Sequence, residues 1–147
     1  MNVAQSANLV GVTGIARRLV LDGAIDEATA RSALAAATEA RKPISNYLTD
    51  NRIVTSAQLA AANSIEFGMP IFDPAQMDVQ QSAIKLVKEE LLQKHLAVPI
   101  FRRGTRLFVG ISDPTDTRAL DEIKFHTNLG VEPILVDGDT IKRTIEM

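Results

Sequence analysis

Three groups of residues carry the side chains that could do chemistry. His95 and His126 could ligate a metal or move a proton, but they stand 31 residues apart, without local metal-ligand spacing. Each reads as a helix-end or partly buried histidine. The run Arg102-Arg103-Gly104-Thr105-Arg106 could hold an anion. The same residues make a solvated hairpin turn, since arginine is costly to bury unpaired and free at a tip. Its functional version is a contact surface for an acidic patch on a partner. Ser112-Asp113-Pro114-Thr115-Asp116 has the composition of an acidic metal loop. Pro114 sets a turn and Asp116 stands where a helix cap is needed, which accounts for the loop without a metal. The chain has no GxxxxGK[ST] loop, no GxGxxG after a strand, no HExxH and no GxSxG. It has no cysteine, which excludes thiol catalysis, cysteine zinc sites and disulfides. Catalysis by this chain alone is not expected.

The elements that must position these residues are legible from patterning. Residues 1–12 are small and polar at first and read as a flexible tail. Thr13 is placed to cap a helix through Leu21, and Gly23 to stop it. Asp26 can cap a second helix, Glu27 to about Arg41, rich in alanine and halted by Lys42-Pro43. The pattern then repeats at an offset of 29: Ile15 matches Ile44, Leu19 matches Leu48, Ile25 matches Val54 and Asp26 matches Thr55. Thr55 to Gln58 forms a capping box. Two copies of short helix, turn and longer helix can bury one face against each other. The wheel of the first helix groups Ile15, Ala16, Leu19 and Val20 and leaves Leu21 opposite, flanked by Arg17, Arg18 and Asp22. An outward leucine beside charges is a candidate docking point, and its repeat mate is Asp50.

Met69 to Pro74 is extended and holds two prolines, as an edge strand or linker would. Beyond it, Ser82 is placed to cap a helical turn over Ala83 to Val87, continued by helix from Lys88 to His95. Leu96–Phe101 and Leu107–Ile111 read as a β-hairpin, followed by a helix from Thr117 to about Asn128. A third strand, Val131–Val136, and a last helix, Thr140–Met147, complete the chain. The predicted fold is α+β: a helical repeat of two helix pairs over 13–75, then a small sandwich-like α/β subdomain over 76–147. The last helix runs to the final residue, so more protein is expected beyond it.

Composition narrows the ligand. Residues 1–75 hold 6 basic against 7 acidic side chains, and residues 76–147 hold 10 against 11, so neither half is a phosphate-binding surface. Aromatics are 4%, poor material for stacking nucleobases. No apolar run reaches a membrane span, and the N-terminus lacks the features of a signal peptide. Nucleic acid and direct membrane insertion are therefore not expected, and the placement is cytoplasmic.

The stretch Leu96-Ala-Val-Pro-Ile-Phe-Arg-Arg-Gly-Thr-Arg-Leu-Phe-Val-Gly-Ile-Ser-Asp-Pro-Thr-Asp116, with Ala119–Thr127 and Val131–Val136, resembles the N-terminal region of type IV pilus extension ATPases. These PilB-like proteins are related to type II secretion ATPases. The first half, with Ile65-Glu-Phe-Gly-Met-Pro-Ile-Phe-Asp73, resembles the MshEN-type module. The resemblance implies a non-enzymatic domain of a homohexameric ATPase, whose Walker boxes, ATP and magnesium belong to a core C-terminal to this chain. It also implies a position peripheral to the inner membrane through the pilus machine, and a role in pilus extension and twitching motility.

MshEN modules in some relatives bind cyclic di-GMP through a repeated pattern, roughly RLGxxLVxxGxI…LxxALxxQ. This chain has Gly14 for Arg, Ala16 for Gly and Ala37 for Gln; the second copy has Pro43, Ser45 and Glu66 there, and Arg52 for the turn glycine. Arginine supplies charge-assisted contacts to phosphate or guanine, and glycine lets a ligand approach the backbone. Both are missing twice. The resemblance then implies a protein partner, either a PilZ-type adaptor or inner-membrane platform proteins. Arg17, Arg18, Leu21, Asp22, Tyr47 and Arg52 are the candidate contacts, and Arg102, Arg103 and Arg106 are a secondary charged surface. The alternatives are a direct cyclic di-GMP sensor and a structural spacer for hexamer assembly.

Overall fold

The structure, a computed structural model, describes residues 9–76 and 78–146. The chain divides into two compact units between Glu66 and Phe67. Of the expected flexible tail, residues 1–8 lie outside the described residues. Its last part is not loose: Leu9 and Val12 are buried in a cluster with Ala16, Val20 and Ala30. A turn from the Val12 amide to the Leu9 carbonyl, 3.0 Å, directs both side chains to one side.

The first unit contains α1 (Gly14–Leu21), α2 (Glu27–Ala40), α3 (Ile44–Asp50) and α4 (Ser56–Phe67, ending at the unit boundary). The repeat is present in the hydrogen bonds. After α1, the Gly23 amide donates to Val20 O (3.0 Å) and the Ala24 amide to Leu19 O (2.9 Å). After α3, Arg52 donates to Thr49 O (3.1 Å) and Ile53 to Leu48 O (2.9 Å). Both pairs form the same left-handed C-terminal turn, with φ +77° at Gly23 and +57° at Arg52. The second helix of each copy is capped as expected. Asp26 Oδ1 accepts from the Thr29 amide at 2.7 Å. Thr55 Oγ1 accepts from the Gln58 amide at 3.0 Å, while Gln58 Oε1 accepts from the Thr55 amide at 2.9 Å. Thr13 occupies the cap position of α1 with extended backbone, but its hydroxyl makes no capping bond. Leu19 and Leu48 meet in one cluster with Ile15, Ala33, Val54, Leu59 and Ala62, so the copies bury their apolar faces against each other.

The second unit begins with an extended stretch. Ile71 bridges Leu135 in parallel, and the Phe72 amide donates to Leu135 O at 2.8 Å. This pairing ties residues expected to end the first subdomain to the second unit, which is why the division lies earlier than position 75. After a 3-10 turn (Pro74–Gln76) come α5 (Gln81–Ile84), α6 (Glu89–His95), β1 (Ala97–Arg103), β2 (Arg106–Ile111), α7 (Thr117–Thr127), β3 (Gly130–Leu135) and α8 (Gly138–Ile145). Two expectations change here. Gln80, not Ser82, is the cap residue of α5, and Lys88 is extended, so α6 starts afresh rather than continuing the preceding turn.

The sheet order is β1-β2-β3, with β1 antiparallel and β3 parallel to β2. Pro99 has no amide hydrogen, and β1 is an edge strand that tolerates it. The register shifts beside Pro99, and the displaced Ile100 carbonyl accepts from the Gln80 amide at 2.7 Å. Ala97 to Ile100 are all buried, so both faces of β1 are covered. The core includes Val98, Ile100, Leu107, Val109, Ile123, Val136 and Ile141. The architecture is the α+β arrangement the patterning predicts.

Candidate functional site

On α1, burial of Ile15, Ala16, Leu19 and Val20 leaves the intervening charged positions outside. Arg17 is exposed. Arg18 Nε donates to Glu66 Oε2 at 3.1 Å, and a terminal nitrogen lies 3.5 Å from Asp22 Oδ1. These carboxylates, the Glu66 hydrogen bond most of all, raise the guanidinium above its ordinary value. The structure thus brings together Arg18, Asp22 and Glu66 across the ends of α1 and α4.

Leu21 does not point outward as the wheel suggests. It is half-buried and packs on the cluster that includes Leu9 and Val12. The wheel counts only the faces of α1, and the preceding segment supplies apolar cover from outside it. Tyr47 is also half-buried, against the cluster around Leu19 and Leu48, so it belongs to a different apolar group from Leu21. Its carbonyl accepts from Asn51 Nδ2 at 2.9 Å. Arg52 is exposed on its left-handed turn.

The positions that depart from the cyclic di-GMP pattern fall into two kinds. Ala16, Ala37 and Ser45 are buried. Gly14, Pro43 and Glu66 are exposed. Gly14 has φ +64°, a conformation that an arginine would adopt only with strain. Glu66 was readable as the repeat mate of Ala37 but not as the partner of Arg18. The two residues are 48 positions apart, beyond any helical spacing rule.

The arginine turn of the second unit is exposed, and its guanidiniums are engaged. Arg102 Nε donates to the Gly104 carbonyl at 2.7 Å. The Arg103 guanidinium lies 5.5 Å from the centre of the Phe101 ring, which itself stacks on Phe108 at 4.4 Å. Arg106 pairs with Glu132. These contacts order the hairpin and point the three cations at different partners rather than at one anion.

His95 and the acidic loop take structural positions, whereas His126 is exposed on α7 rather than partly buried. His95, at the end of α6, has 9% of its side chain exposed; Nε2 is 2.7 Å from Glu122 Oε2, and Nδ1 is 3.5 Å from Asp116 Oδ2. The His95 hydrogen bond holds the Glu122 carboxyl below its ordinary value, with smaller help from the charges of His95, Lys94 and His126. Asp113 Oδ1 accepts from the Thr115 amide (2.9 Å) and hydroxyl (2.6 Å), and Asp116 Oδ1 caps α7 through the Ala119 amide (3.3 Å). Among the described residues no cluster of three His, Cys, Asp or Glu could hold a metal, and no helix is long and apolar enough to cross a membrane.

Comparison with known proteins gives these arrangements a context. The MshEN domain model matches residues 67–147. This is the second unit, whereas the resemblance to that module is expected on the first. The chain is 32% identical over 137 residues to the type IV pilus assembly ATPase PilB of Pseudomonas aeruginosa, covering 93% of this chain and 24% of that protein. It is 35% identical over 133 residues to PilB of Acinetobacter baylyi, covering 90% and 23%. The chain therefore spans about a quarter of the length of the curated relatives it matches, the non-catalytic MshEN part of them.

Two solved structures extend the likeness over both units. A structure of MshE with cdg has a TM-score of 0.69 at 21% identity, covering 91% of this chain and 97% of that one. The N-terminal domain of XpsE has a TM-score of 0.72 at 22% identity, covering 90% and 91%. At these identities the likeness is one of fold.

Proposed function

This chain belongs to the MshEN domain family, and from that premise we propose that it is the regulatory, partner-binding domain of a type IV pilus assembly ATPase. In this reading it works in the cytoplasm, beside the inner membrane. It takes a PilZ-type adaptor, or a platform protein of the pilus machine, on the helical repeat of the first unit. Docking controls pilus extension by favouring one setting of the domain on a hexameric ATPase. Such a shift requires the partner to touch the two settings differently.

The observation that carries the reading is Glu66. The cyclic di-GMP pattern has glutamine there, which can hydrogen-bond a nucleobase or phosphate without charge. Here a carboxylate stands at the position and holds Arg18 at 3.1 Å. A fixed negative charge opposes a doubly anionic dinucleotide, and the nearby cation is already engaged. For a protein partner the polar contacts are Arg17, Arg52 and the outer edge of the Arg18–Asp22 pair, whose ion pair stays intact, and Tyr47 is a partly accessible aromatic anchor.

Titration of the chain with a PilZ-type adaptor tests this directly. Saturable binding is expected, weakened at least tenfold by Arg17→Glu combined with Tyr47→Ala. No binding at tens of micromolar overturns the reading. The likeness to MshE solved with cdg favours the sensor alternative. Calorimetry with cyclic di-GMP separates the two: no heat is expected, and a micromolar isotherm would replace the adaptor reading with direct sensing.

A further inference from the structure

The second unit carries a groove between its opening segment and α8 that the first-unit reading does not use. It encloses about 810 Å³. Ile71, Phe72 and Val79 give it an apolar floor, and Asp73, Asp78 and Asp137 line it together with Arg143. Ile71 is 47% exposed and Phe72 38%. Their pairing with Leu135 fixes the backbone of this segment and leaves both side chains in reach of solvent. Pro70 and Pro74 flank it and carry no amide hydrogen, so the segment is poorly suited to take a further strand at its edge. What the groove offers is side-chain chemistry: apolar surface bordered by charge.

The charges identify the occupant. The lining holds three carboxylates against one guanidinium, a formal excess of negative charge. Asp73 Oδ1 accepts from the Ala75 amide at 3.0 Å and Asp137 Oδ1 from the Asp139 amide at 2.9 Å, while Arg143 donates to the Thr140 hydroxyl at 3.1 Å. These partners are uncharged, so the bonds orient the groups and leave the excess in place. Further charges do not reverse it: Asp139, Lys142 and Glu146, on and just after α8, are acidic on balance. Arg102 meets Gln80 through its backbone amide and turns its guanidinium to the Gly104 carbonyl. A negative face repels polyanions, which sets aside nucleic acid and an anionic bilayer. The three-arginine turn of this chain is engaged within its own copy, at Gly104, Phe101 and Glu132, so it is not held ready for a second copy's groove. The volume suits a few side chains rather than a folded domain. We propose that this groove docks a basic, amphipathic segment of a partner protein. A bulky apolar side chain of that segment rests on Ile71, Phe72 and Val79, and flanking lysines or arginines meet Asp73 and Asp78. The proposal is independent of the adaptor reading, since it uses other residues on the other unit.

The test is to pan the chain against displayed random twelve-residue peptides. Enriched sequences are expected to carry Leu, Ile or Phe flanked by Lys or Arg. A fluorescently labelled peptide of the leading sequence should bind about tenfold more weakly to the Asp73→Asn, Asp78→Asn double variant, and more weakly as salt rises. Alanine in place of the peptide's bulky apolar residue should cost a similar factor. Thermal unfolding of the double variant should match the parent chain, because both carboxylates are exposed and the asparagine oxygen keeps the bond from the Ala75 amide. Enrichment of acidic or uncharged peptides, absence of enrichment, or affinity unchanged in the double variant overturns the proposal. Concentration-dependent association of the chain that the double variant abolishes also overturns it, because the groove is then an interface between copies.

Discussion

The two copies of the helical repeat hold the same backbone with different residues. At the turn, Gly23 and Arg52 share the left-handed conformation and the same two hydrogen bonds. At the cap, Asp26 and Thr55 each accept from the amide three residues on. On the outer face, Leu21 packs inward on Leu9 and Val12, while its mate Asp50 pairs with Lys42 at 3.3 Å. The lesson is that the turn is imposed by helix ends and by the buried Leu19–Leu48 contact, not by glycine. A residue type that a ligand would require can therefore be exchanged while the scaffold stays.

Three experiments would break or sharpen that equivalence. The largest effect should come from the shared core. Leu19→Ala and Leu48→Ala each remove a fully buried side chain and should each cost about 2–5 kcal/mol in urea unfolding. Costs that differ severalfold would show that one copy dominates the unit. Exchanging the turn residues should act in opposite directions. Gly23→Arg puts a Cβ at a position held in the left-handed region and should destabilise by about 1–2 kcal/mol. Arg52→Gly relieves the same strain, offset by glycine's greater unfolded entropy, and should stabilise by at most about 1 kcal/mol. Melting temperatures of the two variants check the signs, and a loss at both positions would contradict the shared-turn account.

The smallest effect separates the caps by pH. Thr55→Ala should cost about 1 kcal/mol at any pH, because a hydroxyl does not titrate. The Asp26 carboxyl lies below its ordinary value because Thr29 donates to it, from the hydroxyl first and the amide second. Its contribution is complete above the unfolded aspartate value of about 3.9 and drains as pH falls through the lower folded value. The difference between parent and Asp26→Asn should thus shrink on acidification from pH 6, measured by urea titration. A constant difference would mean that the cap works without its charge.

The sequence carried these local features plainly. The offset of 29, the capping box at Thr55, the hairpin turn at Gly104 and the break near Pro43 each sit within a few residues of their cause. What it hid depends on groups that meet only in the fold. Leu9 and Val12 lack a periodic context, so nothing marked them as cover for Leu21. Arg18 and Glu66 meet because α4 returns past α1, and His95 reaches Glu122 across 27 positions. Cap positions were easier to read than cap chemistry: Thr13 stands where a cap belongs and its hydroxyl makes no such bond.

The pairing of Ile71 and Phe72 with Leu135 has a kinetic side. The first unit has contacts between neighbouring helices, α1 with α2 and α2 with α3, that can form as it is made, before α1 meets α3 and α4. The second cannot close until a strand made near its end returns to residues made at its start. Non-local pairing of this sort slows folding, because a long loop must be closed before any contact repays the lost entropy. The backbone groups of Ile71 and Phe72 therefore wait, without their strand partner, through most of the synthesis of their own unit.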